Sequence, residues 1–233
     1  LSVAPVFGHR GLPQRARLAL AVVLTWMVLP LIPPPPALEP LSPAGLAAIA
    51  QQLLIGLSMG FMLRLVLGAL EVAGQVIALQ MGLGFALLVD PQNSTQLPLL
   101  SAFFNLLGIL LFLSLNGHLA VVQLVVESFR TLPIGTAGIG ADEVWTLAGW
   151  ASRMFAGSVL IALPAIASLL VVNLAFGVMS RAAPQFNIFA VGFPLTLLLG
   201  MLILLFSLPL LLPQLRRLLT DALQALEAMT GGP

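Results

Sequence analysis

The sequence predicts an all-α protein that crosses a membrane as several helices. Of its 233 residues, 60% are hydrophobic and only 7% are charged, whereas soluble domains carry roughly 25% charged residues. The mean hydropathy is +1.11. The apolar residues form long runs without the alternation of a membrane β-strand, which favours helices. So few charges cannot cover a water-facing surface, which excludes both an ordinary soluble domain and a disordered chain.

The expected spans are the stretches that contain no charged residue. A helix needs about 20 apolar residues to cross the hydrocarbon layer, and a charge at its centre costs about 2.5 to 3.5 kcal/mol on insertion scales. The six charge-free runs are 18–38, 40–63, 72–89, 91–126, 154–180 and 182–215.

Two proline- or glycine-rich segments are predicted to separate these spans. Pro30 and the four prolines at 33–36 should end the first span and begin a stiff, extended linker. Residues 135–140, which are rich in glycine, should form a loop ahead of Asp142 and Glu143.

The arginines predict the orientation, because cytoplasmic loops are enriched in basic residues. If the segment holding Arg10, Arg15 and Arg17 is cytoplasmic and the runs alternate, eight of the nine arginines lie inside, with Arg64 in a cytoplasmic turn. Only Arg181 falls on the far side. This pattern predicts a cytoplasmic C-terminus.

An amphipathic helix is predicted at the C-terminal end, over 214–229. Its polar side carries Arg217, Asp221 and Gln224. The opposite, apolar stripe consists of Leu215, Leu218, Leu219, Ala222, Leu226 and Met229. We expect this helix to lie on a membrane or on a partner.

Small residues recur every fourth position at Gly74, Ala78 and Gly82, which predicts close helix packing there. Gly82 and Gly84 should also loosen the helix before Asp90-Pro91. Farther upstream, Arg64 and Glu71 are expected beside the cytoplasmic turn of a hairpin, where water or headgroups can reach both charges.

Several kinds of chemistry leave no signature in this sequence. Cysteine is absent, and His9 and His118 have no carboxylate at ligand spacing, so we expect no metal site and no cofactor. No nucleotide-binding motif is present. The arginines are scattered, which gives no footprint for a nucleic acid.

One motif suggests an alternative function. Residues 56–60, GLSMG, fit the GxSxG pattern of serine hydrolases, so an intramembrane protease pairing Ser58 with His118 stays open. The pentapeptide lies in a continuous helical pattern, which favours a GxxxG packing face instead. A small-molecule transporter is the other alternative, although it would normally show an internal repeat, and none is evident.

Three polar islands interrupt the apolar runs: 90–96, 116–118 and 181–187. The second is expected to be a turn. The amides of the first and third favour a wet passage or a partner, because unpaired polar groups are costly in lipid.

In the same order, the motifs VDPQNSTQLPLL, FLSLNGH, SFRTLPIG and SRAAPQFNIFAVGFPLTLLLG resemble the FliR family of flagellar and type III secretion export-gate proteins. The segment APVFGHRGLPQRARLALAV is similar to the family's region after its first helix. The likeness covers nearly the whole chain, and the family's first helix is expected upstream of Leu1.

The resemblance implies one integral-membrane domain over 1–233 that is not an enzyme. Its kinked helical hairpins would join FliP-like and FliQ-like subunits in the entrance of a channel, with an FlhB-like subunit at the base. Unfolded flagellar proteins would pass through it at the bacterial inner membrane, in the flagellar basal body. In such an assembly, several hairpins contact sister subunits instead of lipid.

The resemblance also assigns roles to residues. The segment 82–97 matches the family's plug loop, with Gly82, Gly84, Phe85, Leu87, Leu88, Asp90 and Pro91 as gate residues. Subunit packing is expected at Gly74, Ala78, Asn116, Gly117, His118, Arg181, Pro184, Gln185 and Asn187.

Overall fold

The structure is a computed structural model. It describes residues 13–34, 36–37, 39–85, 99–135, 138–182 and 188–230, together with positions 3, 5 and 8. Of residues 85 and 188–191 it describes the backbone alone.

The described residues form helices joined by turns and short irregular segments. In chain order the helices are α1 (Gln14–Val28), α2 (Pro43–Gln80), α3 (Leu99–Ser114), α4 (Gly117–Thr131), α5 (Ala141–Ala182), α6 (Ile188–Ser207) and α7 (Leu211–Met229). Single 3₁₀ turns occupy Leu29–Leu31, Leu83–Phe85 and Leu208–Leu210. The all-α, multi-span fold class is therefore confirmed.

Four helical stretches within the described ranges are long and apolar enough to cross a membrane, or five if the bent pair α3 and α4 is one span. The prediction of six spans was wrong, mainly because the second and third runs belong to a single helix. Pro43 begins α2, and the helix then continues through Arg64 and Glu71 to Gln80.

The expected turn at Arg64 is therefore absent, and both charges lie exposed in the middle of α2. The residues between them, LVLGAL, include no helix-breaking proline. Val66, Ala69 and Leu70 are almost fully buried there. Burial of this face stabilises a helix where the charges alone suggested a turn.

Helix ends elsewhere also differ from the ends of the charge-free runs. The helix α5 starts at Ala141, well before the run 154–180. The backbone N–H of Gly140 donates to Glu143 Oε2 at 2.9 Å, which caps the start of that helix. The start of α5 therefore coincides with a local capping contact and not with the start of the charge-free run.

The prolines act in two ways. Pro30 and Pro209 lie in 3₁₀ turns that end α1 and α6, and Ile32 is already extended, as predicted for the linker. Pro164 and Pro194 lie inside α5 and α6. Within α6, the Thr196 hydroxyl donates to the carbonyl oxygen of Gly192 at 2.8 Å.

Two of the helices are too long for a single upright span. At 38 and 42 residues, α2 and α5 measure about 57 and 63 Å, about twice the 30 Å hydrocarbon layer. Each helix must therefore tilt strongly or extend well beyond the lipid.

The chain divides into two compact units. Unit 1 comprises Leu1–Leu67, Ile109–Met154 and Arg216–Pro233. Its apolar core includes Met59 and Met62 of α2, Phe112, Leu124 of α4, and Trp150. In α7, buried Leu218, Leu219, Ala222 and Leu226 lie opposite exposed Arg217, Asp221 and Gln224.

Unit 2 comprises Gly68–Gly108 and Phe155–Leu215. Its buried residues come from the last turns of α2, the start of α3, from α5 and α6, and from the first turn of α7. The largest of them are Leu70, Ile77, Met81, Phe104, Leu169 and Leu215.

Candidate functional site

The end of α2 is fixed by a glycine. The N–H of Gly82 donates to the carbonyl oxygen of Leu79 at 3.1 Å. Its φ of 79° lies in the left-handed region, which glycine enters without a steric penalty. The helix therefore ends before the 3₁₀ turn Leu83–Phe85, nine residues short of the end of the run 72–89.

The backbones of α2 and α3 approach closely within unit 2. A Cβ built on Gly74 would lie 2.8 Å from the carbonyl oxygen of Leu100 and 3.0 Å from the Cα of Ser101. The Ser101 hydroxyl also donates to Gln75 Oε1 at 3.3 Å. The last turns of α2 and the first turn of α3 are thus held side by side, on either side of residues 86–98 in the sequence.

A glycine of α6 supports the same helix end. A Cβ on Gly200 would lie 2.7 Å from Cγ of Met81, whose side chain is almost fully buried. The sequence analysis missed Gly200. A lone glycine in the apolar segment LLLGMLILL was the available signal, because a helix retains such a residue for close packing.

The remaining plug residues are only partly placed. A Cβ on Gly84 would lie 3.1 Å from Cδ2 of Leu79, and Phe85 ends the 3₁₀ turn. Leu87, Leu88, Asp90 and Pro91 lie outside the described residues. Ala78 is half-buried on the last turn of α2. The plug roles of these residues stay predictions.

The second polar island forms a turn in unit 1, as expected. Asn116 adopts a left-handed φ of 57°, and its carbonyl oxygen accepts the N–H of Leu119 at 2.9 Å. The helices on either side, α3 and α4, meet at 66°. A Cβ on Gly117 would collide with the ring of Phe112. His118 Nδ1 is buried and has no hydrogen-bond partner among the described residues.

The third polar island is only partly visible. Arg181 is exposed in the last turn of α5. Pro184, Gln185 and Asn187 lie outside the described residues. Their role in subunit packing stays a prediction.

The surroundings of Ser58 do not match a hydrolase. A nucleophile elbow places its serine on a sharp turn between a strand and a helix. Ser58 is instead buried in the middle of the continuous helix α2. Over the described ranges, no group of three or more His, Cys, Asp or Glu residues is arranged to hold a metal ion.

Comparison with known proteins gives the family. The model of the bacterial export proteins, family 1, matches residues 1–222. The flagellar biosynthetic protein FliR of Escherichia coli K12 is 39% identical over 213 residues, which cover 91% of this chain and 81% of that protein. The FliR of Pectobacterium carotovorum is 39% identical over 227 residues, covering 97% and 86%. The FliR of Aquifex aeolicus is 39% identical over 206 residues, covering 88% and 80%.

The chain belongs to the FliR family of bacterial export proteins. The resemblance stated from its motifs is confirmed. The apolar helices and the FliR relatives together indicate a membrane-embedded subunit of the flagellar export apparatus, and they indicate no catalytic activity.

Proposed function

We propose that this chain is a structural subunit of the flagellar export gate. With FliP-like and FliQ-like subunits it forms the channel entrance, and an FlhB-like subunit lies at the base. Unfolded flagellar proteins cross the inner membrane through this entrance. The cytoplasmic C-terminus is not part of the proposal, because its prediction depended on six alternating spans and a turn at Arg64.

The observation that carries the proposal is the fixed geometry on either side of residues 86–98. Gly82 ends α2, while Gly74 and Leu100 bring the backbones of α2 and α3 into contact. Because packed helices fix both ends of this segment, the segment can obstruct a pore while the helices on either side of it keep their positions. Its sequence places apolar Phe85, Leu87 and Leu88 before the polar residues 90–96. An apolar constriction excludes ions by dewetting.

The large exposed apolar area supports the presence of partner subunits. In α5 the exposed residues include Val159, Leu163, Val171, Leu174 and Val178, and α6 exposes Leu198, Leu202 and Phe206. Apolar patches of this extent indicate lipid or protein contacts. The lengths of α2 and α5, about twice the hydrocarbon layer, favour protein partners for at least part of this surface.

Inter-subunit packing is proposed at Gly74, Ala78, Asn116, Gly117, His118, Arg181, Pro184, Gln185 and Asn187. Of these, Gly74 and Gly117 already have tight contacts within the chain. A partner would therefore contact the outer faces of their helices.

A deletion of residues 84–88 tests the plug. In cells that co-express the FliP-like and FliQ-like subunits, the deletion should let small ions cross the inner membrane, because the apolar constriction is removed. The leak is measured as ion conductance of the purified assembly in planar bilayers. A second variant, L87S/L88S, keeps the length and should also leak.

The matched control is L29S/L31S, which also replaces two leucines by serine, at exposed positions of the 3₁₀ turn after α1. It should leave the conductance at the level of the unchanged assembly. If both plug variants stay as tight as this control, the plug assignment is wrong.

A further inference from the structure

One side of α2 carries a narrow exposed stripe that crosses the middle of the helix. Its members recur at intervals of three or four residues, counting half-buried Gly68, so they lie in one line along the helix. We call this line the charged stripe, because two opposite charges lie near its centre. Its exposed members are Leu57, Phe61, Arg64, Glu71, Gln75 and Leu79.

The charged stripe is one residue wide. Between positions 58 and 78, Phe61, Arg64, Glu71 and Gln75 are the only exposed residues. The other sides of α2 are half-buried or buried within the chain over this range. A seam of this width, with alternating spacings of three and four, is typical of a helix that packs against one other helix. The stripe therefore offers a contact line for a single helix.

Neither charge of the stripe has a partner on its own helix. The positions three and four residues away from Arg64 and from Glu71 hold only glycine, leucine, phenylalanine and glutamine. The two charges lie about 10.5 Å apart along the helix axis. Over the part of the chain that the structure describes, neither side chain forms an ion pair.

Hydrocarbon is a poor cover for this stripe. By length and composition α2 is a candidate membrane span, and a charged side chain is costly at the centre of a span. The headgroup layer on each side is about 5 to 8 Å thick, so an upright helix places at most one of the two charges in it. Water is disfavoured in turn by exposed Leu57, Phe61 and Leu79.

A helix that carries the complementary charges fits every part of the stripe. It would place a carboxylate opposite Arg64 and a basic group opposite Glu71, two helical turns apart. Charge-assisted hydrogen bonds would then satisfy both side chains. Gly68, midway between the charges, has no side chain, which lets another backbone approach closely.

We propose that the charged stripe binds one helix of a neighbouring FliP-like or FliQ-like subunit, and that this helix carries an acidic and a basic residue about seven positions apart. The identity of the subunit rests on the proposed function, whereas the charge pair follows from α2 alone. The plug segment takes no part in this contact.

A second copy of this chain is the other protein that could offer such charges. In an antiparallel pair of α2 helices, Arg64 of each copy would lie opposite Glu71 of the other. The same register would place the apolar ring of Phe61 opposite the amide of Gln75, which favours a different helix. The experiment below distinguishes the two.

Photocrosslinking from position 61 identifies what covers the stripe. A photoreactive phenylalanine analogue replaces exposed Phe61 in the full chain, and cells that express the export apparatus are irradiated. The cross-linked peptides are mapped by mass spectrometry. We expect cross-links to one helix of a FliP-like or FliQ-like subunit, in a segment with an acidic and a basic residue about seven positions apart.

Charge reversal tests the ion pairs themselves. R64E should lower the cross-linking yield from position 61 about tenfold, because it places two carboxylates opposite each other, whereas R64K should keep the yield. Reversing the mapped acidic residue of the partner to arginine should restore the yield in R64E, which also shows that this variant folds. The matched control R153E reverses an exposed arginine of α5 and should keep the yield.

The result for the double variant R64E/E71R separates the two protein occupants. With a partner helix of fixed charge order, the yield should stay low. In a pair of identical chains the reversal is reciprocal, so a restored yield, or cross-links between two copies of this chain, would overturn the proposal.

Three further results would also overturn it: cross-links to lipid alone, a contacted helix without the charge pair, and a yield in R64E that equals that of R153E or is not restored by the reversed partner. A charge-paired helix from a subunit that is neither FliP-like nor FliQ-like would support the stripe and contradict the partners named in the proposed function.

Discussion

Single glycines decide where helices of this chain touch and turn. The ring of Phe112 lies where a Cβ on Gly117 would need space. Gly117 directly follows Asn116, whose backbone φ is left-handed. At Gly74 the backbone of α3 occupies the corresponding place. Both glycines lie in segments that the sequence analysis singled out, but the atoms that require them come from the fold.

Replacing Gly117 with alanine should destabilise the protein. The added methyl group meets the Phe112 ring, and overpacking a buried site costs about 1 to 3 kcal/mol. The control G149A lies in open space in the first third of α5, where alanine should gain up to about 1 kcal/mol of helix stability. Each purified variant is heated to a series of temperatures and then run on size-exclusion chromatography. The measurement is the temperature above which the monodisperse peak disappears. Equal transition temperatures for G117A and G149A would contradict the packing described here.

At the scale of elements, charge proved a poor guide to helix ends. The predicted break at Arg64 does not exist, because one face of α2 stays buried through this region. The end of α2 follows instead from the backbone at Gly82. The glycines there were recognised in the sequence, and only the exact end of the helix was misplaced.

The continuity of α2 gives a distance prediction. The chain has no cysteine, so spin labels on L53C and L79C attach nowhere else, and both positions are exposed, at 61% and 59%. Along one helix the two Cα atoms are about 39 Å apart. A hairpin at Arg64 would bring them to about 10 Å, the spacing of packed helices. Double electron–electron resonance distinguishes the two, and a short distance would contradict the continuous helix.

At the scale of the whole molecule, composition and motif order predicted most of what was found. Composition predicted the all-α membrane class, and the order of the motifs predicted the FliR family.

Composition could not predict which apolar faces pack within the chain, because exposed Val171 and buried Leu169 belong to the same uninterrupted apolar helix. It also could not reveal that Gly56 faces open space, since a GxxxG motif is equally typical of two helices in contact.

The exposed apolar faces of α5 and α6 are the surfaces that we expect lipid or partner subunits to cover. So much exposed hydrocarbon must contact lipid or other subunits. The proposed function places Leu87 in the channel of the gate, in the path of an exported chain.

The most direct measurement is site-specific photocrosslinking from position 87 in the assembled gate. A photoreactive amino acid there, irradiated while an export substrate is stalled in the channel, should cross-link to the substrate. The same amino acid at position 149, on an exposed turn of α5, should not. Cross-links from position 87 to lipid, with none to the stalled substrate, would contradict the gate.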